Sequence, residues 1–414
     1  MILKVYKEDF LVGEVYTSDE GVCFTYSQDY LSKGALPLSL ALPLSAKAYP
    51  QSAVLPFFDG LLPEGEQRQD LGKLLHVSST STIKLLQALA GECIGNLIIV
   101  AEEANIVDLL QESAYTPLSS KELEALLRPQ SIERINFIID RRLSLAGAQA
   151  KFGLFYESGE WFATKGLAPT THIIKPASLL YPSLLINEFF MMRLAGSCGV
   201  EVPATGIIHH GENFGFVVER FDRQRLGDRI VRVGQEDFCQ ALSIMPNEKY
   251  EDDGGPGFKE LFATTLNNTY PPTQNIRRLL RMAMFNYLIG NCDAHAKNYS
   301  LLQDHKNGRL SLAPAYDLVS TTYYADRLLR TLAMRIGKHS RIDRINAEDF
   351  GRFSEEIGVS LAAITTELDT LHELLVIHLD KIVETIGQEA EGFLPIAGQL
   401  REHLLRELEQ RVVL

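Results

Sequence analysis

Eight residues, N-C-D-A-H-A-K-N at positions 291–298, set Asp293 and Asn298 in a D-x-x-x-x-N spacing. That spacing suits phosphoryl transfer, which needs a carboxylate to orient an attacking hydroxyl and accept its proton. It also needs a hard oxygen ligand for a metal ion a few residues on, and an asparagine amide oxygen serves. Lys297 lies beside them, placed to offset charge on the phosphoryl group in transit. A second aspartate, Asp317 in P-A-Y-D at 314–317, follows where a Mg²⁺-chelating carboxylate is expected. Magnesium keeps several waters and takes one or two protein oxygens, so Asn298 and Asp317 suffice.

Further upstream, the apolar run H-I-I-K at 172–175 ends in Lys175, and the segment that follows carries Glu188. A strand lysine held by a helix glutamate presents a cation to nucleotide phosphates. The run V-V-E-R-F-D at 217–222 reads as a strand entering a polar turn. Where such a segment joins two lobes, its backbone N–H and C=O groups can meet an adenine edge, with Asp222 in reach of a ribose hydroxyl. The small-residue loop S-L-A-G-A-Q-A-K at 144–151 offers backbone N–H groups to phosphate oxygens through Ala146, Gly147, Ala148 and Gln149, with Lys151 at its end. Each element alone is weak, and the loop matches no standard glycine-rich fingerprint. Their order along the chain is the one a kinase topology requires.

The elements that must hold these residues follow from hydrophobic periodicity. Short strands are expected at 3–6, 11–16 and 22–26, an irregular proline-rich stretch at 36–63, helices at 65–75 and 81–89, and a strand at 96–100. A boundary is expected at 104–115, where the periodicity weakens. Strands are then expected at 151–156, 161–165, 172–175, 206–210 and 215–221, with a helix at 183–194. Helices dominate after 235, at 258–265, 274–290, 366–386 and 395–412, with a hairpin joining Asp293 to Asp317. The result is an α+β, two-lobed protein-kinase-like fold with an N-terminal β-rich subdomain (1–105), a nucleotide-binding lobe (106–230) and a helical C-terminal lobe (231–414).

Composition narrows the class. A chain of 414 residues, 46% hydrophobic and 22% charged, has the balance of a multi-domain globular protein. A net charge of −13 argues against unaided DNA binding, although Arg277, Arg278 and Arg281 make a local basic patch. Five scattered cysteines without C-x-x-C spacing fit buried, reduced thiols and give no zinc site. Acidic residues interrupt the N-terminus and no apolar run spans a bilayer, so a cytoplasmic location without membrane partners is expected. The acidic, glycine-rich segment 245–258, with Glu248, Glu251, Asp252 and Asp253, is a candidate for positioning a basic substrate peptide.

Taken together, S-L-A-G-A-Q-A-K, H-I-I-K, V-E-R-F-D-R, K-Y-E-D-D-G-G-P-G, N-C-D-A-H-A-K-N-Y-S and P-A-Y-D resemble the HipA toxins of bacterial type II toxin–antitoxin modules. P-F-F-D-G-L-L-P-E-G at 56–65 extends the resemblance to the N-terminal part. It implies an ATP- and Mg²⁺-dependent serine/threonine protein kinase with Asp293 as catalytic aspartate and Asn298 and Asp317 on the metal. Lys175 and His295 join the nucleotide contacts, the backbone of Glu219 and Phe221 meets adenine, and Ser144 becomes an autophosphorylation site. The implied substrate is an aminoacyl-tRNA synthetase, the glutamyl enzyme first. The implied partner is a HipB-like helix-turn-helix antitoxin, through which alone DNA is met. Two other readings use the same residues: a small-molecule kinase, and a catalytically silent co-repressor acting with its antitoxin.

Overall fold

Alternating apolar and polar residues at the N-terminus produce the expected meander. Gly21–Tyr26, Phe10–Ser18 and Ile2–Lys7 pair antiparallel, and Leu97–Ala101 adds to the free side of Ile2–Lys7. Leu3 and Val5, two residues apart, both point into the core, as the period of a half-buried strand demands. The computed structural model describes residues 1–34, 36–324 and 327–411. The chain divides into two units: Met1–Pro176 with Ile208–Asn247 and Leu302–Gly308, and Ala177–Ile207 with Glu248–Leu301 and Arg309–Leu414. Segments 1–105 and 106–176, expected in separate domains, therefore share the first unit.

The reason lies in the core. Buried Leu3, Phe24, Phe57, Phe58, Leu86, Leu127, Phe152, Ile174 and Val217 form one continuous cluster. The stretch 104–115, where a boundary is expected, is itself structured. It contains a helix, Ile106–Gln111, and the start of the strand Ala114–Pro117, which pairs with Glu160–Lys165 at the edge of a second sheet. Pro117 is tolerated there because an edge strand has a side that donates no ladder bond. That sheet runs in the order Thr205–His210, Asn213–Glu219, His172–Pro176, Phe152–Glu157, Glu160–Lys165, Ala114–Pro117.

The proline-rich stretch 36–63 is less irregular than expected, since Gln51–Asp59 is a helix with Pro56 inside it. A proline there leaves the carbonyl four residues earlier without its helical donor. Ser243 Oγ donates to that carbonyl, on Ser52, at 3.4 Å. Burial of Val54, Phe57 and Phe58 opposes the remaining cost.

The second unit is helical, with Leu184–Ser197, Phe258–Asn268, Pro272–Leu288, Ala347–Ile357, Leu361–Glu389 and Leu394–Gln410. Leu184–Ser197 is apolar almost all round and buried accordingly. The long helix buries Ile364, Leu368, Leu371, Leu375, Leu379, Ile382 and Ile386, a stripe at three- and four-residue spacing. The basic patch is largely neutralised, because Arg278 pairs with Glu201 at 2.8 Å and Arg281 with Glu367 at 2.5 Å. All five cysteines are buried, and none is in a disulfide. Among the described residues, no helix is long and apolar enough to cross a membrane.

Candidate functional site

In the second unit the 291–300 loop hangs between the helix Pro272–Leu288 and the strand Ser300–Gln303. Gly290 makes the exit from the helix possible. It has φ +68°, and a Cβ there would sit 2.2 Å from Thr322 Oγ1, so a side chain meets both strain and collision. Thr322 N–H donates to the Gly290 carbonyl at 3.1 Å, and Cys292 N–H donates to Thr321 Oγ1 at 2.7 Å. The loop is thereby stitched to the segment that follows Asp317.

Asn291 is the hub of this stitching, and residue-type reasoning overlooked it. Its Oδ1 accepts from the Asp293 N–H at 3.2 Å. Its Nδ2 donates to Asn286 Oδ1 at 2.8 Å and reaches the Asp317 carbonyl at 3.5 Å. Asn298 Nδ2 donates to the Asp293 carbonyl at 3.2 Å, and His295 N–H to the same carbonyl at 2.8 Å. With its nitrogen committed to the backbone, the Asn298 amide leaves its oxygen as the atom able to take a metal ion. Asp293 is exposed, Asn298 and Asp317 are half-buried, and His295 and Lys297 are buried. Asp317 has φ +54°, a left-handed conformation that a non-glycine residue rarely adopts. Such strain at a functional position persists only where neighbours enforce it. Asn187 supplies part of that enforcement, its Nδ2 donating to Ser320 O and its Oδ1 accepting from Ser320 N, each at 3.0 Å. Tyr316 Oη donates to the Lys297 carbonyl at 2.7 Å, joining the two sequence motifs directly.

Among the described residues, no three His, Cys, Asp or Glu side chains converge as a protein-built metal cage. Asn298 and Asp317 are hard oxygen donors on fixed backbones, a pair that fits Mg²⁺, which draws its other ligands from phosphates and water.

Tyr250 lies within the motif K-Y-E-D-D-G-G-P-G, but sequence reasoning gave it no role. Its phenol donates to Asp293 Oδ1 at 2.7 Å, and its ring meets His295 edge-on at 5.3 Å. The acidic segment around it is partly spoken for: Arg335 pairs with Asp252 at 2.5 Å, and its N–H donates to Glu251 Oε2 at 2.6 Å. Two of the four acids expected to receive a basic peptide therefore clamp the chain's own strand Thr331–Ile336.

The first unit holds the residues assigned to the nucleotide, His295 excepted. The 144–151 loop is tied to the start of the helix Gly65–Leu74. Glu64 N–H donates to Gly147 O at 3.0 Å, and Gln67 bonds both the N–H and the carbonyl of Lys151. Lys151 Nζ turns back to donate to Ala146 O at 2.8 Å, and Gly147, φ +104°, leaves room for it. Ser144 is fully buried, its Oγ donating to Leu61 O at 2.7 Å. Lys175 is buried mid-sheet opposite Phe216, and Glu219 sits at the exposed end of the adjacent strand with Phe221 half-exposed beyond it. Lys175 and Glu188, expected as a pair, belong to different units.

Asp222 departs from the expectation of a ribose contact. It is 2% exposed, its carboxylate accepting from Arg220 Nε at 2.9 Å, Arg220 NH2 at 2.8 Å and Gly95 N–H at 2.7 Å. Arg223 stands 3.0 Å from it. Those donors saturate the oxygens a ribose hydroxyl would need. Asp222 is one end of a buried ion cluster whose centre is Glu92. Glu92 Oε1 accepts from Arg220 at 3.2 Å, Arg223 at 2.8 Å, Thr170 N–H at 2.9 Å and Thr170 Oγ1 at 3.0 Å. Its Oε2 accepts twice from Arg232, at 3.0 and 2.6 Å. Burial pushes the Glu92 carboxyl up, but Arg223, Arg232 and Arg220 together hold it well below the usual carboxylate range. Burial opposes ionisation of Asp222 in the same way, and Arg220 and Arg223 overcome it. The strand Glu92–Cys93 pairs in parallel with Leu143–Ser144, so the cluster backs the 144–151 loop and the 217–222 segment together. Nothing in V-E-R-F-D-R discloses this, because Glu92 lies 128 residues from Arg220.

Comparison with known proteins gives concordant results. The HipA N-terminal domain model matches residues 3–100, and the HipA-like C-terminal domain model matches residues 143–381. Y4mE of Sinorhizobium fredii, a kinase by name, is 37% identical over 381 residues, 89% of each chain. The serine/threonine-protein kinase toxin HipA of Shewanella oneidensis is 30% identical over 404 residues, covering 94% of this chain and 88% of that one. A solved structure of Shewanella oneidensis HipA with HipB and operator DNA superposes with a TM-score of 0.85 at 28% identity, covering 99% of this chain and 97% of that one.

Proposed function

The chain belongs to the HipA family of serine/threonine kinase toxins, and from that premise we propose that it transfers the γ-phosphoryl group of ATP to a protein hydroxyl. The observation that carries this reading is Asp293, exposed on a loop whose backbone is pinned by Asn291 and Asn298. Asp293 holds the acceptor hydroxyl and takes its proton as the oxygen attacks. Asn298 and Asp317 hold Mg²⁺, which when bound screens charge on the phosphates. Lys175 and the backbone of Ala146, Gly147, Ala148 and Gln149 bind the phosphates, with Lys151 released from Ala146 to join them. Lys297 offsets charge on the moving phosphoryl group, His295 borders the nucleotide, and the backbone of Glu219 and Phe221 receives adenine.

The acceptor in this reading is an aminoacyl-tRNA synthetase, the glutamyl enzyme first, so that phosphorylation lowers charging and growth. A HipB-like antitoxin restrains the kinase in the cytoplasm and brings it to DNA, as the Shewanella complex suggests by analogy. Ser144 serves as a self-inactivating site. A phosphate there carries roughly −1.5 to −2 charges, and Ser144 is fully buried with its Oγ on the Leu61 carbonyl, so the loop would have to leave.

The test is transfer from γ-labelled ATP with Mg²⁺ to glutamyl-tRNA synthetase, with mass spectrometric mapping of Ser144. The Asp293→Asn variant is expected to lose label on both at least about 10³-fold while keeping its fold, in line with removal of a base and its positioning. Equal labelling by native and variant proteins would dismiss Asp293 as the base.

A further inference from the structure

The base of a kinase is useful only while its oxygen can receive the acceptor hydroxyl. In this protein that hydrogen bond is already made. Tyr250 Oη, a hydroxyl on a side chain, donates to Asp293 Oδ1 at 2.7 Å, the bond an acceptor serine would make.

Tyr250 does not arrive there by chance flexibility. Its carbonyl accepts from Asp253 N–H at 3.0 Å and Gly255 N–H at 2.9 Å, which closes a tight turn through Glu251–Asp253. Gly255 is required in that turn, since a Cβ would stand 2.2 Å from the Glu248 carbonyl. Arg335 grips the same turn through Glu251 and Asp252. The ring rests edge-on against His295 at an interplanar angle of 81°. The phenol is therefore presented to Asp293 from a braced platform.

Asp293 does not depend on the phenol for its placement. Its N–H is held by Asn291, and its carbonyl by His295 N–H and Asn298 Nδ2. What the phenol adds falls on the carboxylate oxygen itself. Resting on the kinase reading above, we infer that Tyr250 is a resident mimic of the acceptor hydroxyl that occupies Asp293 Oδ1 until a protein acceptor displaces it. When the acceptor takes its place, the acceptor proton passes to Asp293, the new O–P bond forms, and the γ-phosphorus bond to ADP breaks. Before displacement a water finds Oδ1 already taken, and idle ATP hydrolysis is slowed. The turn residues Asp252, Asp253 and Gly254 are exposed, so an approaching acceptor can push the turn without unfolding a core.

The experiment is ADP release from Mg²⁺–ATP with water as the only acceptor, comparing the full native chain with Tyr250→Phe. Phenylalanine keeps the ring against His295 and deletes only the hydroxyl. A hydrogen bond of ordinary net strength corresponds to a rise of about threefold to tenfold, at unchanged KM for ATP. Tyr250→Ala, which opens the position further, is expected to release ADP at least as fast as Tyr250→Phe. A rate equal to or below the native one in both variants would overturn the inference and make Tyr250 an orienting residue. Phosphate found on Tyr250 by mass spectrometry would also overturn it. A native protein that neither releases ADP nor labels any acceptor would instead remove the kinase reading, an outcome distinct from either of these.

Discussion

Replacing Glu92 by glutamine removes one of the two negative charges that three buried arginines share in the first unit. Arg220, Arg223 and Arg232 face Glu92 and Asp222, and every one of these side chains is buried. With both carboxylates present the cluster carries one excess positive charge; without Glu92 it carries two. Glutamine preserves volume, and its amide oxygen still accepts from Thr170. On the other side, however, its amide N–H₂ confronts the two N–H donors of Arg232 that now point at Glu92 Oε2. Breaking a buried ion pair by removing one partner costs about 3–5 kcal/mol, because the surviving charge has no solvent to turn to. For a unit of this size that corresponds to a fall of roughly 6–20 °C in Tm. Differential scanning calorimetry on the full chain is the assay, following the transition that carries the first unit. Pairing the change with Arg232→Met deletes the opposed donors and should restore part of the loss, which a double-mutant cycle measures. A fall of less than about 1 kcal/mol in Glu92→Gln alone, or no recovery in the double variant, would refute the view that Glu92 neutralises this cluster.

Stability should also fall on mild acidification. Burial pushes His172 and His403 down to about 4, so the unfolded chain takes up protons at these sites first. Their contribution is complete above about pH 6.5 and is lost as pH drops towards 4, with Glu92 and Asp222 extending the loss below 4; Tm against pH checks it. Gly290→Ala places a Cβ into Thr322 Oγ1 at a positive φ, a strain of roughly 1–3 kcal/mol that shifts the Asp293 loop. Its kcat should fall by up to about 10²-fold, and an unchanged kcat would mean that the loop absorbs the strain. Asn187→Ala leaves the buried N–H of Ser320 without its partner, at about 1–3 kcal/mol, and its carbonyl with only the Tyr323 N–H at 3.4 Å. Denaturant unfolding should register that cost, and phosphotransfer should weaken with it because the same segment carries Asp317.

The sequence by itself determined which residues are present to do chemistry and the order in which they occur. D-x-x-x-x-N at 293–298, Asp317 and the strand ending in Lys175 announce themselves because residue type and short spacing are local properties. Strand and helix periods made most elements legible for the same reason, including the buried stripe of Leu361–Glu389. Only the tertiary structure decided what holds those residues and what occupies them. Asn291 is one asparagine among many until its two ends are seen on Asp293 and the Asp317 segment. Asp222 reads as a ligand residue until Arg220 and Arg223 close around it, and Glu92 carries no signal at all until distant strands meet. Tyr250 lies 43 residues from Asp293. Charges and hydrogen bonds act over a few ångströms in space, and a one-dimensional pattern records such proximity only where the chain keeps it local.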